Sequence, residues 1–236
     1  MRGLLATRQP EDNEVLTKAL EAWGWQVVNW PALVIKTTTV EVSNESVRSV
    51  DIVIFTSKNS VSAQLLKRIN IENKTVICVG PTTAEKLFNQ TGIKAATPAT
   101  TTTEGLLSSK LLEVSNKKIL IIKGKGGRKL LEDELRKRNN EVFTLDVYSR
   151  LENTLTDREA EKINKLEPEY VLVTSVEGLC SLIKQIDEGK LTKKLLSKHL
   201  LSFSNRINEI AIKKGFEKVS TVNKMSNKGI VEALVK

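Results

Sequence analysis

Short apolar, largely β-branched runs punctuate the chain at Leu4–Ala6, Val27–Trp30, Asp51–Phe55, Thr75–Val79, Lys118–Ile122, Val142–Tyr148, Tyr170–Val173 and Leu200–Phe203. Between most of them, apolar residues recur at helical spacing, as in Val15, Ala19, Leu20 and Trp23. A strand pattern that keeps giving way to a 3.6-residue period predicts βαβ units and parallel sheets. Ile52-Val53-Ile54-Phe55 and Ile119-Leu120-Ile121-Ile122 are apolar at every position, as expected of strands covered by helices on both faces. The fold class expected is α/β and doubly wound. Ligands of such sheets bind beyond the carboxyl ends of the strands, where helix N-termini present free N–H groups.

The pattern also repeats. Asp51 to Leu66 resembles Glu169 to Leu182, which puts Thr56-Ser57 in register with Thr174-Ser175. A second strand and helix follow each pair, beginning at Thr75 and Leu200, and each helix runs to a glycine, Gly92 or Gly215. Two domains of similar topology are the simplest account.

Composition narrows the function. No apolar run is long enough to span a bilayer, which takes about 18 residues or more, and the N-terminus lacks the apolar core of a signal peptide, so a soluble cytoplasmic protein is expected. Cys78 and Cys180 fall in no metal or redox spacing and read as small buried hydrophobes. The one histidine, His199, has no metal-ligand or nucleophile partner near it in sequence and reads as an ordinary strand-edge residue. Lys and Arg number 37 against 28 Asp and Glu, a formal charge of +9, which favours an anionic partner. Aromatics are only 4%, and cations interleave with helical acids, so nucleic acid is not the expected partner.

Candidate chemistry gathers at the strand ends. Thr56-Ser57 and Thr174-Ser175 close an apolar strand and open a helix, where a hydroxyl can cap free N–H groups and where the same groups can hold an anion. Gly80-Pro81-Thr82-Thr83 repeats the arrangement, and Lys123-Gly124-Lys125-Gly126-Gly127-Arg128 is a basic, glycine-rich loop that fits neither a P-loop nor a dinucleotide motif. No carboxylate pair, nucleophile triad or metal cluster stands among them, and hydroxyls, N–H groups and cations suit a polyanion. Trp23, Trp25 and Trp30 read as core.

The ordered series Ala6-Thr7-Arg8, Phe55-Thr56-Ser57-Lys58-Asn59-Ser60-Val61, Val79-Gly80-Pro81-Thr82-Thr83-Ala84, Thr103-Glu104-Gly105-Leu106-Leu107, Lys123-Gly124 with Arg128, Val147-Tyr148-Ser149-Arg150 and Thr174-Ser175 resembles the uroporphyrinogen-III synthase family over essentially the whole length. The resemblance implies two doubly wound parallel-sheet domains joined by a two-stranded linker, residues 1–36 with 152–236 forming one and 37–151 the other. Trp30 to Ile35 and Leu145 to Arg150 would be the linker strands.

It further implies a monomeric, cofactor-free and metal-free lyase acting on hydroxymethylbilane, with no nucleic acid or membrane partner. The terminal hydroxyl leaves as water, the resulting cation is attacked at a substituted carbon, and a spiro intermediate recloses with the last ring inverted. Substrate contacts are expected from Thr7, Arg8, Thr56, Ser57, Lys58, Gly80, Thr82, Thr83, Thr103, Lys123, Gly124, Arg128, Thr174, Ser175, Ser204 and Arg206. Tyr148 is the candidate proton donor, against the alternative of a strand aromatic that packs the linker. Ser204-Asn205-Arg206-Ile207 departs from its counterpart Gly80-Pro81-Thr82-Thr83 by losing a hydroxyl and gaining a cation, and Lys123 stands where the family often has arginine. The rival reading is a non-catalytic two-domain module that binds polyanions or tetrapyrroles.

Overall fold

The computed structural model describes residues 2–38, 49–188 and 191–235. The chain divides into two units, Met1–Val34 with Leu151–Lys236 (unit one) and Ile35–Arg150 (unit two). In chain order the elements are β1 (Gly3–Ala6), α1 (Pro10–Glu21), β2 (Gln26–Asn29), β3 (Leu33–Thr37), β4 (Ile52–Phe55), α2 (Ala63–Leu66), β5 (Thr75–Cys78), α3 (Pro81–Thr91) and α4 (Thr103–Leu107). There follow β6 (Lys118–Gly124), α5 (Leu130–Lys137), β7 (Glu141–Glu152), α6 (Asp157–Leu166), β8 (Tyr170–Val173), α7 (Val176–Glu188), α8 (Thr192–Leu196), β9 (His199–Ser202), α9 (Asn205–Lys213), β10 (Lys218–Thr221) and α10 (Asn227–Val235).

Unit one holds a sheet of order β10-β9-β8-β1-β2, and the second sheet runs β3-β7-β6-β4-β5. Pairings are parallel throughout β1, β2, β8, β9 and β10, and throughout β4 to β7. The apolar strands divide their side chains between two cores. Val53, Phe55, Leu120 and Ile122 pack on one face while Ile52, Ile54, Ile119 and Ile121 pack on the other. In unit one, Leu5, Val171 and Val173 face one core and Leu4, Ala6 and Leu172 the other. Each of these Val, Leu, Ile and Phe side chains contributes about 1.5–3 kcal/mol on burial, which is why the alternation of hydrophobic and polar residues disappears from these strands.

Helix ends follow local chemistry. Pro10 and Pro81 open α1 and α3, where a missing N–H costs nothing. Thr156 and Glu159 form a reciprocal capping box at α6, and Gly92 ends α3 at φ 73°.

The structure departs from the sequence reading at several points. β10 escapes the pattern because Lys218-Val219-Ser220-Thr221 is a half-polar strand at the sheet edge. Ala96 occupies the corresponding place in unit two, bridging to Ile77 beside β5. Trp25 and Trp30 are buried, but Trp23 is 62% exposed at the end of α1. Cys78 is buried, yet Cys180 lies on the exposed side of α7, because its neighbours Leu179 and Leu182 take the buried face.

Candidate functional site

In each sheet the winding reverses once. From β4 the chain moves outward to β5 and then returns to place β6 on the other side of β4; in unit one the reversal falls between β1 and β8. Such a switch point opens a crevice at the carboxyl ends of the strands. Thr56-Ser57 and Lys123-Gly124 stand at the crevice of unit two, and Thr7-Arg8 with Thr174-Ser175 at that of unit one. The two threonines lock these edges in the same way. Thr56 donates its N–H and Oγ1–H to Ile122 O at 3.1 and 3.2 Å, and Thr7 donates its own pair to Leu172 O at 3.3 and 2.7 Å.

Tyr148 belongs to this edge through a β-bulge. Lys123 pairs with Asp146 but Gly124 pairs with Tyr148, so Val147 is an extra residue on β7. The bulge re-aims the strand and puts Tyr148 in the same core as Val147, where strict alternation would send it to the opposite face. The ring is 2% exposed, its hydroxyl lies 2.9 Å from Ser57 Oγ, and Arg150 Nη2 donates to the hydroxyl at 3.4 Å.

The remaining expected residues of unit two form one neighbourhood. Gly80 caps α3 with Thr101 beside it; Thr82 is exposed on the first turn and Thr83 is buried. Thr103 is the first residue of α4, but the capping hydroxyl is that of Thr102, which accepts from Gly105 N at 3.0 Å. Arg128 reaches Glu104 at 2.7 Å and so ties the glycine-rich loop to α4. Lys58 sits half-buried in a 3-10 turn, its carbonyl accepting from Lys86 Nζ at 3.0 Å. Lys123 turns its ammonium onto Glu132, both side chains being largely buried.

In unit one, Ser175 Oγ accepts from Gly178 N at 3.0 Å and Ser204 Oγ from Ile207 N at 3.4 Å, while Arg206 is exposed on the first turn of α9. Thr174 is half-buried at the end of β8. Arg8 donates to Asn227 Oδ1 at 2.5 Å, lies 3.6 Å from Asp12 and stacks on Phe203. Burial draws its pKa below the usual guanidinium value, with Asp12 opposing.

Sequence reasoning missed Asn227 and Ser226, whose hydroxyl accepts from Gly229 N at 3.1 Å. The signal was available, since Thr102-Thr103-Glu104-Gly105 and Ser226-Asn227-Lys228-Gly229 share a hydroxyl followed three residues later by glycine. At both glycines a Cβ would collide with a loop carbonyl, of Thr100 or of Lys224.

His199 opens β9, stacks on Tyr170 with ring centroids 5.0 Å apart and shares a hydrogen bond of 2.9 Å with Ser220 Oγ. Among the described residues, no group of three or more His, Cys, Asp or Glu is placed to hold a metal ion, and no helix is long and apolar enough to cross a membrane.

Two doubly wound α/β units, each with a switch-point crevice edged by N–H groups, hydroxyls and cations, define the class: a two-unit, doubly wound α/β protein. Residues 14–232 match the family described as uroporphyrinogen-III synthase HemD, and the chain belongs to that family. The uroporphyrinogen-III synthase of Escherichia coli (strain K12) is 30% identical over 159 residues, which cover 66% of this chain and 65% of that protein. The uroporphyrinogen-III synthetase of Helicobacter pylori 26695 shares the fold with a TM-score of 0.68 at 16% identity, over 99% of this chain and 98% of its own. A mutant uroporphyrinogen III synthase from the extremely thermophilic bacterium Thermus thermophilus gives 0.62 at 16% identity, over 99% and 96%.

Proposed function

We propose that this chain cyclises hydroxymethylbilane to uroporphyrinogen III, releasing water and inverting the last pyrrole ring, as a monomer in the cytoplasm. The reading is carried by the family match over residues 14–232 and supported by the two crevices, whose donors suit the eight carboxylates of the substrate. Helix N-termini at Gly80, Ser175 and Ser204 offer N–H groups to carboxylates. Lys58, Arg128 and Arg206 add positive charge around them. Lys123 acts from behind by holding Glu132 and the loop after Gly124.

Closure without an enzyme gives the un-inverted type I isomer, so the protein's main task is orientation: the terminal cation must meet the crowded carbon of the last ring. The departing hydroxyl also needs a proton, and Tyr148 is the source we assign. The test is to give the purified protein freshly generated hydroxymethylbilane and separate the oxidised products. Predominance of type III supports the reading; type I alone, as without protein, rejects it in favour of a non-catalytic tetrapyrrole binder.

A further inference from the structure

We propose that Ser57, and not Tyr148, hands the proton to the departing hydroxyl, Tyr148 standing behind it as the source and Arg150 holding the phenolate that results; this rests on the cyclisation reading above. Burial separates the two hydroxyls. Tyr148 is 2% exposed, whereas Ser57 is half-exposed at the crevice of unit two. The tyrosine ring cannot swing outward freely, because it is packed over Gly124 on a bulged strand whose Tyr148 carbonyl accepts from Lys125 N at 2.8 Å. Ser57 is pinned too, its carbonyl accepting from Ser60 N at 3.0 Å and from Ser60 Oγ at 2.6 Å.

Arg150 gives the hydrogen bonds a preferred direction. A guanidinium can only donate, so with Nη2 at 3.4 Å the Tyr148 oxygen accepts from it. In the relay the phenolic hydrogen is directed at Ser57 Oγ, 2.9 Å away, a contact in which either oxygen can donate, and the serine's own hydrogen points into the crevice. The donors therefore run outward in one sense: Arg150 to Tyr148, Tyr148 to Ser57, Ser57 to the ligand. The guanidinium carbon also lies 5.8 Å from the ring centroid, placing a fixed cation where phenolate charge develops.

The step balances. The substrate's C–O bond breaks with its electron pair on oxygen, that oxygen takes the Ser57 proton and leaves as water, and Ser57 Oγ takes the Tyr148 proton. The substrate is left as the azafulvene cation and Tyr148 as phenolate. When the final ring regains aromaticity it sheds a carbon-bound proton, which returns through Ser57 to Tyr148. No oxidant, reductant or co-reactant enters.

The experiment measures kcat and KM for type III formation in the wild type, Ser57→Ala, Ser57→Thr, Tyr148→Phe and the double variant Ser57→Ala/Tyr148→Phe. Loss of a positioned proton donor costs roughly 100-fold, so each hydroxyl-deleting single variant should lose about that factor in kcat with KM within about twofold. The double variant should be no slower than the worse single, since both residues serve one transfer. Ser57→Thr, which keeps the hydroxyl, should recover to within about tenfold of wild type. Wild-type kcat in Ser57→Ala or in Tyr148→Phe, or losses that multiply in the double variant, would overturn the relay. Should Tyr148→Phe fail to fold, the contrast between Ser57→Ala and Ser57→Thr still decides. A wild type that makes no type III defeats the cyclisation reading itself, whereas an active wild type with an unimpaired Ser57→Ala defeats only the relay.

Discussion

Gly124 lies so close beneath the ring of Tyr148 that a Cβ at this position would come within 2.5 Å of Tyr148 Cζ. The glycine is thus read by its neighbour and not by its own backbone, since its φ is not among the positive ones. Gly124→Ala must displace the ring from the core that Val147 and Phe55 share with it. The expected outcome is a loss of about 1–3 kcal/mol in urea unfolding and, as the Ser57 contact goes, at least about a tenfold fall in kcat.

Lys123 and Glu132 make a largely buried ion pair, with side-chain exposures of 15% and 9%. Removing one charge leaves the other without compensation in a poorly solvated place. Lys123→Met should lower stability by about 3 kcal/mol, a loss limited by Arg136, whose Nη1 remains 3.9 Å from Glu132. Lys123→Met with Glu132→Leu should restore most of it, because the double variant buries no lone charge. Denaturant melts of the three proteins check this; equal stability of wild type and Lys123→Met would show that the ammonium's place is elsewhere.

The two thiols should separate in a labelling experiment. Cys78 is buried, and desolvation pushes its pKa up to about 12, so it holds little thiolate near neutrality. Cys180 is exposed. At pH 8 a thiol reagent should modify one group per native chain, at Cys180, and two in denaturant, with Cys180→Ser abolishing the native reaction.

Acid should weaken unit one through His199. Its pKa is lowered from the ordinary 6.5, chiefly by burial and then by Lys218, so the folded state binds the proton less readily than the unfolded chain. The sign follows: the contribution is complete above about pH 6.5, declines as pH falls below the unfolded pKa, and levels off once the lowered folded pKa is passed. Melting temperature measured from pH 8 to pH 5 should fall more in the wild type than in His199→Gln. Parallel profiles would place the acid sensitivity in other groups.

Much of the architecture was legible because it is written in local periodicity. All-apolar strands such as Ile52 to Phe55 announce burial on both faces, and the helical spacing between them leaves a doubly wound α/β chain as the economical solution. Hydroxyls and glycines that follow apolar runs are local signals as well, which is why the sequence sets Thr56, Ser57, Gly80, Ser175 and Ser204 at strand ends. β10 was not legible, since a half-polar edge strand carries too weak a pattern; neither was the exposure of Cys180, which depends on how far its helix is rolled toward its sheet, nor that of Trp23, which falls in the turn after α1.

The sequence by itself determined the fold class, the repeat that relates Thr56-Ser57 to Thr174-Ser175, and the placing of hydroxyls and glycines at the strand ends, because each depends on neighbours within a few residues. Tertiary structure alone decided that a bulge turns Tyr148 onto the face of Val147, that Gly124 makes room for its ring, that Ser57 and Arg150 meet its hydroxyl, and that Lys123 is held by Glu132. Those contacts join positions on different elements, and the register and bulges that bring them within hydrogen-bonding distance are set by the packing of the whole sheet, which no local pattern encodes.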